Sequence, residues 1–135
     1  MVFGTFDFLH EGHIYLLQEA KRHVDFLIVV LARDETVKKV KNFYPTNNEK
    51  QRLKEIQNLG FVDKVVLGEI ENKYKVIEKY RPDIIALGYD QFVFTYKIPK
   101  ILIDFKLNTE IIRIDSFKPD IFKSSIIKAK LNENV

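Results

Sequence analysis

Cysteine is missing from all 135 residues of this chain. Its absence excludes disulfides, thiolate metal sites and thiol catalysis, and it suits a reducing cytoplasm. Long apolar runs are missing too. None approaches the roughly 20 residues that cross a bilayer, so no membrane partner is expected. No charged-then-apolar leader with a small-residue cleavage point opens the sequence, and the expectation is a protein that stays cytoplasmic. Charge of one sign is not in large excess: 22 Lys and Arg face 19 Asp and Glu, a net of +3. The basic residues form no stripe with aromatics, so a nucleic-acid partner is not expected, whereas a slight positive balance suits a polyanionic small molecule. Repeats, low-complexity tracts and linkers do not occur, and one domain over 1–135 is expected.

What is present is a core-forming composition, 46% hydrophobic and 30% charged, laid out in alternating runs. Short apolar, β-branched stretches at 1–3, 26–32, 65–68, 83–88 and 110–114 read as strands, and runs of this kind suit a sheet covered on both faces. Between them, helical spacing or cap signals predict helices over 12–22, 36–40 with Asp34 as cap, and from a cap at 46–48 to 59 with Gly60 as stop. Further helices are predicted over 72–80, 96–106, where Pro99 must sit in the first turn or cut the helix short, and 124–131. Residues 41–46 read as a loop. Strand–helix alternation predicts an α/β fold with a five-stranded parallel sheet and helices on both faces. In such sheets ligands bind beyond the carboxyl ends of the strands.

Histidine is scarce, with three in the chain, yet His10 and His13 stand three residues apart in GTFDFLHEGH, just past the first strand. Gly4 and Thr5 let the backbone turn close to a ligand there. Gly12 opens the first helix, where amide groups and the helix dipole favour phosphate. Imidazoles at that point can donate to phosphate oxygens, which suits nucleotidyl or phosphoryl transfer, where positioning and electrostatics dominate. The structural alternative has His10 capping a turn and His13 as an exposed helix residue. A metal reading lacks a nearby third ligand, and H-E-G-H is not the H-E-x-x-H pattern.

Gly4-Thr5-Phe6-Asp7 followed by His10-Glu11-Gly12-His13 resembles the H-x-G-H signature of the cytidylyltransferase-like nucleotidyltransferases. The likeness continues through Ala32-Arg33-Asp34-Glu35, Glu49-Lys50-Gln51-Arg52, Val62-Asp63-Lys64 and Arg81-Pro82-Asp83 to Gly88-Tyr89-Asp90-Gln91, in the manner of the archaeal FAD synthase type. The resemblance implies a Rossmann-like domain, a homodimer, Mg²⁺ as cofactor, and transfer from ATP (or CTP) to a phosphorylated acceptor, FMN first, with pyrophosphate leaving. It implies that His10 and His13 stabilise charge on the α-phosphate. Phe3, Gly4, Thr5 and Phe6 would wall the nucleotide, and Lys41, then Lys38, would meet phosphate. Gly88 and Asp90 would serve ribose, base or hydrated Mg²⁺. Ser124 and Ser125, at a helix start flanked by Lys118 and Lys123, would bind the β- and γ-phosphates.

Glycerol-3-phosphate cytidylyltransferases carry R-T-x-G-I-S-T-T in that last place. This chain has Arg113, a longer spacer and the serine pair alone, which puts Arg113 in doubt as a site residue. Arg52 reads either as an i, i+3 surface partner of Glu49 or as a group reaching the site. The aromatic stretch 91–100 reads as a pocket for a flat ring, as core, or as a dimer contact.

Overall fold

A computed structural model describes residues 1–72, 74–88 and 95–115. Five strands, β1 (Val2–Gly4), β2 (Ile28–Leu31), β3 (Lys64–Leu67), β4 (Ile84–Gly88) and β5 (Glu110–Ile114), form one sheet in the order β3-β2-β1-β4-β5. All neighbours run parallel. The intervening helices are α1 (Glu11–Arg22), α2 (Asp34–Lys41), α3 (Glu49–Gln57), α4 (Lys75–Tyr80) and α5 (Ile98–Asp104), the last entered through a 3₁₀ turn at Thr95–Lys97.

Side chains alternate along each strand, so the register decides two cores. Val2 pairs with Val29 and with Ala86, and these face Leu17 and Ala20 of α1 and Ile56 of α3. Phe3 pairs with Val30, and that face meets Val76 and Ile77 of α4 and Ile98 and Leu102 of α5. The expectation of helices on both faces therefore holds. Each buried Val, Leu, Ile or Phe among them contributes about 1.5–3 kcal/mol of transfer free energy.

The differences from the sequence reading are local. The 26–32 run yields a strand only from Ile28, and Phe26 is 58% exposed. Asp34 is the first residue of α2 instead of its cap, because its carboxylate is engaged elsewhere, and Lys41 is helical where a loop was expected. Asn48 caps α3 by accepting from the Gln51 N–H, while the Gln51 side chain accepts from the Asn48 N–H. That helix stops at Gln57, and Gly60 follows at φ 86°, a conformation costly for other residues. Of the two places open to Pro99, the first turn of α5 is the one it takes. The helix predicted over 124–131 lies outside the described residues.

Candidate active site

Strand order reverses between β1 and β4, so the crevice that favours ligands opens beyond Gly4 and Gly88. The histidines stand at that end, at the start of α1. A cleft of about 420 Å³ lined by His23, Phe26, Tyr80 and Arg81 lies instead at the amino ends of β2 and β4. The topology rule places no ligand there.

His10 is the N-cap of α1: its Nδ1 accepts from the Gly12 N–H at 3.0 Å. His13 closes the reciprocal bond, its Nδ1 accepting from the His10 N–H at 3.3 Å. This is a capping box with histidine in both side-chain positions. The bond pattern sets the tautomer: with Nδ1 an acceptor, the proton of each neutral ring sits on Nε2. The rings stack with centroids 3.7 Å apart at 19°, so the two Nε2–H edges belong to one compact unit. Phe6 buttresses His13 edge-on at 5.1 Å. Gly12 leaves room for this, since a Cβ there would lie 3.0 Å from the His10 ring. The His10 half of the capping alternative is thus present, His13 is half-buried instead of exposed, and the cap orients the imidazoles as donors.

The loop after β1 is shaped by its own residues. A Cβ on Gly4 would meet the Phe6 ring at 2.6 Å, so the space gained by glycine is filled by Phe6, not left for a ligand. Phe6 holds φ 51°, in the left-handed region, and its ring is buried with Val2 and Leu17. Phe3 is buried in the other core. Of the wall expected from Phe3 and Phe6, the surface has backbone to offer. Gly88 ends β4, and its carbonyl accepts from Arg113 Nη1 at 3.1 Å.

Arg52 is not the surface partner of Glu49 that the sequence allowed; it reaches the loop after β1 from a buried position. Its side chain is 0% exposed. Nη1 donates to the Thr5 carbonyl at 2.8 Å, Nη2 to Asp34 Oδ1 at 2.7 Å, and Nε to the Asn47 carbonyl at 3.0 Å. One guanidinium therefore holds the loop after β1, the start of α2 and the approach to α3. Glu49 pairs with Arg33 at 3.0 Å and accepts from the Asp34 N–H. The signal available in the sequence was Arg52 at helical spacing from Ile56, a charge on the buried face of α3.

Asp7 adds a strap: its two carboxylate oxygens accept from the N–H groups of Thr46 and Asn47, both at 2.8 Å. Burial favours the neutral acid, but those N–H donors and the Arg52 charge outweigh it, so Asp7 titrates below its ordinary 3.8. A depressed carboxyl stabilises the fold fully above 3.8 and loses that contribution as pH falls through the lower folded value. The stability gap between wild type and Asp7→Ala is therefore expected to shrink as pH drops below 3.8. Urea midpoints between neutral pH and about pH 2.5 check this, and a gap independent of pH refutes it.

Lys41 occupies the last turn of α2, exposed, and among the described residues no hydrogen bond or ion pair ties it to the histidines. Lys38 donates to the Asn42 carbonyl at 3.1 Å. Asp90, Lys118, Lys123, Ser124 and Ser125 lie outside the described residues, as do 91–94 of the aromatic stretch. Tyr96 from that stretch is 72% exposed and Ile98 is core.

The strand order, the histidine cap and the loop after β1 agree with a match of residues 1–130 to the model of the family described as Cytidylyltransferase-like. The chain belongs to the cytidylyltransferase-like family. Its relatives include the FAD synthase of Picrophilus torridus, 39% identical over 98% of this chain and 95% of that one. The FAD synthase of Korarchaeum cryptofilum is 45% identical over 95% of this chain and 88% of its own length. Among solved structures, the lipopolysaccharide core biosynthesis protein from Thermoplasma volcanium is 35% identical with TM-score 0.79, covering 87% of this chain and 97% of that one.

For this cytidylyltransferase-like chain the described residues gather no group of three His, Asp or Glu side chains fit to hold a metal. Among the described residues no helix is long and apolar enough to cross a membrane.

Proposed function

We propose that this chain transfers the adenylyl group of ATP to FMN, forming FAD and pyrophosphate. The observation that carries the reading is the identity of 39 and 45% to FAD synthases over nearly the whole chain. The locked Nε2–H pair supplies the chemistry. An oxygen of the acceptor phosphate attacks the α-phosphorus, and the bond to the β-phosphate breaks as pyrophosphate leaves. Charge accumulates on the α-phosphate oxygens, and the fixed donors of His10 and His13 stabilise it without reorganising. No covalent enzyme intermediate is needed. Gly88, Asp90, Ser124 and Ser125 complete the nucleotide contacts in this reading, and Lys41 meets phosphate. Mg²⁺ fits as an ion that arrives with the triphosphate, its usual mode of binding in such sites. We further propose a cytoplasmic homodimer with neither nucleic acid nor membrane as partner.

Pyrophosphate release is the test, with ATP or CTP each offered with FMN, glycerol 3-phosphate, phosphopantetheine or a sugar 1-phosphate. Turnover is expected with ATP and FMN. The likeness to the Thermoplasma volcanium protein keeps a sugar- or alcohol-phosphate acceptor as the second reading. Turnover confined to CTP or to a sugar phosphate would replace the first with the second.

A further inference from the structure

Four large apolar side chains are exposed on two segments that the Asp7 carboxylate ties together, one of them the histidine loop. Phe43 and Tyr44 are 59% and 54% exposed, and Val40 just before them is 64% exposed. Phe8, 62% exposed, follows Asp7, whose carboxylate fastens Thr46 and Asn47 shortly after Tyr44. Isolated exposed apolar residues need no explanation, but a group of them rimmed by charge marks a binding surface. The rim is basic, with Lys38, Lys39 and Lys41 all exposed on α2.

Tyr44 is held in place. Asn42, left-handed at φ 66°, ends α2 and starts the turn that carries it. Lys38 Nζ lies 5.6 Å from the Tyr44 ring centroid, a cation–π contact that holds the ring against α2. An anchored aromatic loses little freedom when a second ring stacks on it. A flat ring beside lysines calls for a ligand with a planar apolar part and an anionic end.

Resting on the FMN reading above, we propose that Phe43 and Tyr44 are the stacking platform for the isoalloxazine ring, with Lys38 and Lys41 drawing in the phosphate of the same molecule. The Asp7 strap then has a function beyond stability, because it couples the platform to the loop that presents His10 and His13. Acceptor choice resides in the segment between α2 and α3, and nucleotide chemistry in the switch-point crevice.

Quenching of FMN fluorescence, titrated without ATP, tests the platform directly. The variants are the double Phe43→Ala/Tyr44→Ala and the conservative Tyr44→Phe. Both side chains are exposed, so the thermal melt of the double variant should match wild type. Its Kd for FMN is expected to rise about tenfold or more, the loss typical of a stacking contact. The KM for FMN should rise with it while the KM for ATP holds, and Tyr44→Phe should bind nearly as wild type does. Unchanged FMN affinity in the double variant, with FAD still formed, would overturn the platform and leave the adenylyl-transfer reading standing. Wild-type protein that neither binds FMN nor forms FAD would overturn both. A halved solution mass in the double variant with FMN binding intact would give the patch to a second copy of the chain and overturn the proposal.

Discussion

His10→Asn is expected to keep the fold and lose the reaction. Asparagine is among the best N-cap residues, and its Oδ1 can take the Gly12 N–H that His10 Nδ1 accepts in the wild type. Its Nδ2–H2 donor shares a carbon with the capping oxygen and falls short of the place that Nε2–H, on the far side of the imidazole, occupies. Removing one preorganised donor to an oxyanion costs about 10² to 10³ in rate. His10→Ala should lose the same activity and also the cap, about 1 kcal/mol of stability. A thermal melt and a pyrophosphate assay on both variants separate the two roles. Equal stability of wild type and His10→Asn with a collapsed rate is the expected result. A His10→Asn enzyme within a few-fold of wild type would reduce the imidazole to a cap.

Arg52→Met should unfold more easily than any surface variant. Methionine matches much of the volume of arginine, but it leaves the Thr5 and Asn47 carbonyls and the Asp34 carboxylate without the donor each has now. Removing one partner of a buried ion pair typically costs about 3–5 kcal/mol. For a domain of this size that lowers the Tm by on the order of 10 °C. Arg52→Lys keeps the charge but has one ammonium for three divergent acceptors, so it should recover only part of the loss. The residue positions the site through other groups, which gives the surviving folded enzyme a second signature: a raised KM for the nucleotide as the Thr5 loop slackens. Stability within about 1 kcal/mol of wild type, read from urea unfolding, would show that the network contributes little.

Both results turn on contacts of different reach, and reach explains what could be read from the sequence. The sheet was legible because its strands are short apolar runs bounded by turn residues. β5 falls on the predicted bounds, while β2 was overextended at Phe26, an aromatic that looks like strand and faces solvent. The histidine unit was legible because a capping box is local, and its three-residue spacing shows in the sequence. Asp34 was misread because its role is not local. As a cap it would have served its own helix, but its oxygens go to the Glu49 N–H and to Arg52, 15 and 18 residues away. The Asp7 strap to Thr46 and Asn47 spans 39 and 40 residues, and no periodicity reports a contact of that kind. Phe43 and Tyr44 went unremarked because a hydropathy pattern assigns aromatics in a loop to no face.

The strand order also gives the site a birth order. Residues 1–67 contain β1, β2 and β3 with α1 and α3, a complete half-sheet with one face covered. The other face, with Phe3, Val30 and Val66, has no cover until α4 and α5 are synthesised. A first half that folded on its own would carry a greasy face and no crevice, since β4 forms the crevice's other bank. A fragment of residues 1–72 is therefore expected to bind the dye ANS strongly where the whole chain does not, as partly folded chains with open apolar surface do. A fragment silent to the dye would mean that the first half does not assemble until the second arrives. The same topology that places the ligand at the reversal of strand order means that this place cannot exist until β4, in the second half of the chain, has been made.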